Sequence, residues 1–417
     1  MLEIAFIKKI TILTFLLIGT ISQGQNFGNK YFLDDGREYE RIPFILSGHQ
    51  IILKLRLNDS KPMNFILDSG VKTPIIIDVP QFDTIRVGEV KKIKIQGLGN
   101  GGGSDALIAY NNRINIGEHV VNKNQTVLVM LEDLFYLSNR LGHQINGIIG
   151  FDIFRDFVVE INYDHKYLKL YDPNTYTYPK SKKYITKELT FNRGKPYVHL
   201  KVEMPNGDIV PVKLLVDTGG SDALWLFHSS HDKISNPKKF IPDFLGRGLN
   251  GDIYGKRSRV NKLYFDEVYL KGVTVSYPDS ASVAYVTLHK ERNGSIGGGA
   301  LSRFKVIIDY PHKKITFKKG HDFRRKFQYN MSGIELYMPY PEVPLYEVHS
   351  VRKGSPACYA GVKVGDVLTS INYSKASSLT LPEVMAKFQD RDGRKVRLTL
   401  SRNGETIKVS FRLKKEI

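Results

Sequence analysis

The sequence predicts a mainly β protein in which a duplicated unit is followed by a smaller α+β unit. Three observations carry this. Past residue 40, apolar and polar residues alternate on a short period between Gly, Asn and Pro clusters, the pattern of half-buried strands and hairpins. The stretch Asn64-Phe65-Ile66-Leu67-Asp68-Ser69-Gly70 returns 149 residues later as Lys213-Leu214-Leu215-Val216-Asp217-Thr218-Gly219. After Lys326 the texture changes to short helix and strand signals that end in a hairpin turn at Asn403-Gly404.

Composition limits the alternatives. The chain has 417 residues, 41% hydrophobic and 25% charged, with 36 Gly and 18 Pro, which excludes disorder, collagen and coiled coil as its main character. A single cysteine, Cys358, excludes an intrachain disulfide framework and any CxxC metal or redox site. No cofactor is expected.

At the N-terminus, Lys8-Lys9 precede the apolar run Ile10–Ile21 and the small residues Ser22 and Gly24. This predicts a secretory signal over residues 1–24, hence a secreted or periplasmic protein with no stable membrane span after cleavage. The alternative is an uncleaved anchor, but the run falls short of the roughly 20 apolar residues that span a bilayer. No cysteine follows it, which excludes a lipoprotein signal.

Strands are expected at Ile51–Leu57, Arg113–Ile116 and Lys305–Asp309, and helices at Leu131–Leu141 and Pro382–Phe388. The repeat divides the chain into units at 25–178 and 179–322. Asn146-Gly147-Ile148-Ile149-Gly150 returns loosely as Asn293-Gly294-Ser295-Ile296-Gly297. Phe157–Lys166 returns as Phe304–Lys313, each copy with a turn-like Tyr-x-His-Lys around His165 or His312. A glycine-rich stretch begins 29 residues after each Asp, at Gly97 and at Gly246. Each reads as a hairpin: a mobile lid that excludes water, or a plain surface turn. Leu98, Gly99, Leu249 and Asn250 are the candidate contacts near the tips.

The paired motif suggests chemistry. An apolar strand delivers Asp68 to a turn where Gly70 permits close backbone approach. A carboxylate there is costly unless paired or functional. Two units related by a pseudo-two-fold axis would bring Asp68 and Asp217 together, with the Ser69 and Thr218 hydroxyls holding backbone across the interface. Adjacent carboxyls cannot both ionise readily and share a proton. One could then act as general base on water while the other donates to a peptide carbonyl.

On these residues the duplicated region, roughly 40–320, resembles the retropepsin-like aspartic proteases. The resemblance implies a two-lobed acid-protease β-barrel domain that is functional as a single chain. It implies catalytic Asp68 and Asp217, and dyad support from Ser69, Gly70, Thr218 and Gly219. Two departures are Ser295 in the second late motif and Gly220 after the second triplet, where alanine or serine is more usual.

Residues 326–417 look like a PDZ domain. Gly354-Ser355-Pro356-Ala357, Ala360-Gly361, Gly365-Asp366 and Ile371-Asn372 carry the likeness, with Ser at a cap and Pro at the first helical position. Such domains bind peptide ends by adding a strand to a sheet edge. The peptide-binding loop is expected near Ser332, Gly333 and Ile334, binding weakly, binding internally, or serving as a structural cap. Cys358 is expected to be a semi-buried structural thiol, and Trp225 to be core or pocket wall.

The net charge of +19 is spread over all units. Its densest run, Lys313 to Lys326, lacks the aromatic interleaving of a nucleic-acid reader, so no nucleic-acid partner is expected. A solvated face is the default, with contact to anionic envelope polymers as the alternative. The expected function is an aspartic endopeptidase acting on polypeptide, its PDZ unit binding or regulating peptide access. The competing expectation is a non-catalytic peptide-binding scaffold.

Overall fold

A computed structural model describes residues 28–78, 87–95, 104–133, 136–248, 251–283 and 292–417. The expected signal segment and all four hairpin-tip residues, Leu98, Gly99, Leu249 and Asn250, lie outside the described residues. No helix among the described residues is long and apolar enough to cross a membrane.

The protein is mainly β. The alternation at 51–57 forms the strand Gln50–Leu57, with Ile51, Leu53, Leu55 and Leu57 buried. Antiparallel to it runs Met63–Asp68, the strand that ends on the first Asp. Gly147–Gly150 lies parallel to Met63–Asp68, so that Gly150 pairs with Asp68. The second copy repeats the arrangement: Ile209–Asp217 runs parallel to Gly294–Gly297, and Gly297 pairs with Asp217. The recurrence of the two motifs at nearly constant spacing is thus the trace of one local sheet built twice.

Two-fold pairing joins the copies. Val158–Asn162 runs antiparallel to Phe304–Asp309, with Glu160 opposite Ile307. These two residues are counterparts 147 apart in the repeat, so the ladder is centred on a local pseudo-two-fold axis. Tyr167–Tyr171 and Tyr39–Pro43 extend the same sheet from the first copy, and Lys314–Lys319 and Tyr184–Asn192 extend it from the second. One apolar core runs continuously through both copies.

The C-terminal region forms its own sheet, in the order Ile334–Tyr337, Tyr346–Val351, Val367–Ile371, Lys395–Arg402, Glu405–Arg412. The helix Leu381–Phe388 buries Leu381, Val384 and Phe388 against it. A capping box between Thr380 and Glu383 starts that helix. The Asn403-Gly404 turn has positive φ at both residues (51° and 85°), as a two-residue hairpin requires.

Two expectations are corrected. Helix over 131–141 reduces to the single turn Leu137–Leu141, because Tyr136 before it has left-handed backbone (φ 50°) and cannot continue a helix N-terminally. Cys358 is exposed, not semi-buried: on the one-turn helix Pro356–Tyr359 its neighbour Ala357 takes the inward position.

Candidate functional site

The two Asp-x-Gly turns meet back to back. The Ser69 N–H donates to Thr218 Oγ1 (2.9 Å), and the Thr218 N–H donates to Ser69 Oγ (3.1 Å). Each hydroxyl then donates one residue before the opposite Asp, Ser69 Oγ to the Val216 carbonyl (2.7 Å) and Thr218 Oγ1 to the Leu67 carbonyl (2.8 Å). Ser69 and Thr218 are 1% and 0% exposed, so each hydroxyl must find both a donor and an acceptor inside the protein. This reciprocal set satisfies both and locks the turns.

The carboxyls sit on that platform, half-buried. The Gly70 N–H donates to Asp68 Oδ1 (2.7 Å), and the Gly220 N–H donates to Asp217 Oδ1 (2.8 Å). Gly219 lies against the opposite carboxyl: a Cβ there would sit 2.4 Å from Asp68 Cγ. Gly150 is equally constrained, since its Cβ would fall 1.6 Å from the Asp68 carbonyl oxygen. The structure therefore brings together Asp68, Asp217, Ser69, Gly70, Thr218 and Gly219. Gly220, the departure from the usual pattern, is where a side chain would crowd Asp217 Oδ2 at 3.0 Å.

Burial pushes the Asp68 carboxyl up to about 7, helped by the neighbouring Asp217 charge and opposed by the Gly70 N–H. Burial also raises Asp217, with the Arg292 charge opposing it. The pair accordingly retains a proton well above the ordinary carboxylate range. Two carboxyls that share a proton can accept one from a bound group while donating to another.

Sequence reasoning missed the surrounding supports. The Tyr310 hydroxyl donates to the Ser69 carbonyl (3.1 Å), and its ring stacks on Phe154. Its counterpart Tyr163 stands at the same place in the repeated Tyr-x-His-Lys, a signal that could have found it. Gln50 Nε2 donates to the Gly219 carbonyl. Asp222 accepts from Arg257 (2.7 Å), Ser276 (2.7 Å) and the Trp225 indole (2.7 Å). Burial works against ionisation of Asp222, yet the Arg257 guanidinium holds its carboxyl below the usual range. Asp222 has no acidic counterpart in the first copy, where Thr73 stands, so repetition could not reveal it. His165 and His312 occupy turns, each N–H bonded to Asn162 or Asp309.

The expected peptide-binding loop is closed on itself. Asn330 Oδ1 accepts from the N–H groups of Ser332 (3.0 Å) and Gly333 (3.3 Å), and Ser332 Oγ accepts from Ile334 N–H (3.0 Å). Gly333 (φ 82°) abuts Ser355, and Ile334 is buried. Two serines outside the carboxyl pair lie near histidine: Ser302 Oγ is 3.3 Å from His49 Nδ1, and Ser280 Oγ is 3.0 Å from His228 Nε2.

Comparisons with known proteins bear on two parts of this. Residues 347–402 match the PDZ domain family, and the C-terminal unit is a PDZ domain. Over 168 residues the chain is 24% identical to a protein of Staphylococcus saprophyticus named "Probable CtpA-like serine protease"; the match covers 40% of this chain and 30% of that protein. A serine type contradicts the expected aspartic endopeptidase, and that expectation is corrected here. The physical reason is that two carboxyls on one rigid platform do not by themselves define a reaction, and neither motif nor fold alone carries an activity over.

Proposed function

We propose that this chain is a protease-class hydrolase acting on polypeptide, and that Asp68 and Asp217 are the proton-transfer groups of its cleft. The relative's name supports the class and the PDZ domain supports a polypeptide partner. The single observation that carries the site is the reciprocal Ser69–Thr218 lock beneath two carboxyls that burial holds above their ordinary range. Such a lock spends four buried hydrogen bonds on fixing two carboxyl positions, which a merely structural turn does not need. The accompanying fold reading is two lobes of the retropepsin-like kind, 25–178 and 179–322, with the PDZ unit at 326–417. Gly70 and Gly219 support the pair. A secreted or periplasmic location, from the 1–24 segment, belongs to the same reading.

Hydrolysis of a mixed fluorogenic peptide library between pH 4 and 8 tests it. Asp68→Asn and Asp217→Asn are each expected to lower kcat by about 100-fold or more, the scale of general acid–base catalysis. An unchanged kcat in both variants would sink the assignment of the two carboxyls. Absence of hydrolysis at every pH would sink the class itself.

A further inference from the structure

The PDZ sheet ends at the strand Ile334–Tyr337, whose outer edge is where such a domain would add a peptide strand. Just past the end of that strand, at Met338 and Pro339, the domain is met by another part of the chain. The Met338 N–H donates to the Asn139 carbonyl (2.9 Å). Asn139 Nδ2 donates in return to the carbonyls of Met338 (2.9 Å) and Pro339 (3.1 Å). Gly142 fills the space between this edge and the helix Leu381–Phe388: a Cβ there would lie 2.7 Å from Met338 Sδ and 3.5 Å from Leu381.

The segment is held firmly from behind. Ser138 Oγ accepts from the Ile145 N–H (2.9 Å), and the Leu141 carbonyl accepts from Ser47 Oγ (3.1 Å). It also grips the hairpin strand Ile241–Gly248. The Arg140 guanidinium lies 5.0 Å from the Phe244 ring centroid, and that of Arg247 lies 4.9 Å from the Tyr136 ring centroid. That strand is joined through Asp243, Arg257 and Asp222 to the loop that follows Asp217.

We propose that the outer edge of the PDZ domain is a docking surface for an internal, turn-forming polypeptide segment, and that its resident occupant is Leu137–Gly142 of the same chain. The recognition chemistry is a side-chain amide across a strand edge and a left-handed glycine in the slot beside Leu381. A terminal carboxylate is not required, because the N–H groups at 332–334 that would cradle one are already bonded within their own loop. A foreign segment of the same form competes with the resident one, and its binding loosens the hairpin beside the cleft. Only this last consequence rests on the proposed function.

Amide exchange of the full chain tests the docking without reference to catalysis. In the wild type the Met338 amide, bonded to the Asn139 carbonyl, is expected to be protected. Gly142→Trp, too large to enter the slot, undocks the segment and is expected to speed this exchange about tenfold or more while the Lys395–Arg402 amides stay protected. Asn139→Ala, a milder change that leaves the backbone bond possible, is expected to give a smaller acceleration at the same amide. A doubly blocked peptide of residues 133–145 is expected to bind the Gly142→Trp chain at least about tenfold more tightly than the wild type. Unchanged Met338 exchange in both variants, or equal peptide binding by wild type and variant, overturns the proposal. A free C-terminal carboxylate that is needed for peptide binding overturns it as well.

Discussion

Ser69 and Thr218, both buried, each use one hydroxyl both to donate and to accept. Thr218→Ala strands the Ser69 N–H and the Leu67 carbonyl, so a loss of roughly 1–3 kcal/mol in urea unfolding is expected, the cost of an unmet buried polar group. Gly219→Ala acts differently. Its Cβ would collide with the Asp68 carboxyl, so displacement of that group and loss of hydrolysis are expected, with the fold otherwise kept. The charge state of Asp68 sets a pH dependence. Its unfolded carboxyl titrates near about 4, whereas in the folded protein it is held up to about 7. The folded state therefore binds the proton more tightly, and this contribution to stability is full below about 4 and lost as pH rises through about 7. Unfolding midpoints for wild type and Asp68→Asn should accordingly diverge across that window, with the variant the flatter. Parallel curves would remove the buried-proton account.

At the scale of elements, the parallel pairing of Met63–Asp68 with Gly147–Gly150 admits no side chain at Gly150, since a Cβ would enter the Asp68 carbonyl. Gly150→Ala must push the strands apart, and a destabilisation of about 3 kcal/mol, at the upper end of ordinary overpacking, is expected by chemical denaturation. The equivalent Gly297 meets the Asp222 and Gly220 carbonyls instead, so the two copies are alike in topology but not in their contacts. In the PDZ domain, the fully buried Asp366 is held by a two-pronged Arg402 (2.6 and 2.8 Å) and by the Lys363 N–H (2.8 Å). Arg402→Ala leaves that carboxylate buried without its cation, and a loss of about 3–5 kcal/mol is expected. Loss of the far-ultraviolet signal of the PDZ sheet on mild heating would register it; an unchanged melting curve would show the pair to be dispensable.

Across the whole molecule, two copies and a PDZ domain are tied by contacts between residues far apart in sequence. The strands Val158–Asn162 and Phe304–Asp309 pair with each other, and Leu137–Gly142 bridges to Met338. Glu335, on the PDZ edge strand, is pushed up to about 7 by burial and by the Asp243 charge, with Arg140 opposing. Protonation of Glu335 therefore favours the folded state, a contribution that is full below the ordinary carboxylate range and lost as pH rises through about 7, in the same sense as the carboxyl pair. Glu335→Gln should flatten that dependence, read in unfolding midpoints between pH 4 and pH 8.

Local pattern and repetition determined much of this from the sequence alone. The strand periodicity placed Gln50–Leu57 and Phe304–Asp309, because side-chain alternation is a property of neighbours. The duplicated Asp turns marked the residues that meet, because a repeat implies one local structure made twice. The PDZ signature was legible because its cap, helix and turns are short-range. The supports without counterparts were not legible: Asp222 lies on a loop, and Arg257 and Gln50 reach the site from strands whose pairing depends on the folded chain. The one-turn helix and the exposed Cys358 were misread because a single left-handed residue and a single buried neighbour decided them. Only the tertiary structure decided that the carboxyls share a buried platform and that a segment of the first copy fills the PDZ edge. Burial, which sets both the retained proton and the occupied slot, is a property of the assembled chain and not of any stretch of it.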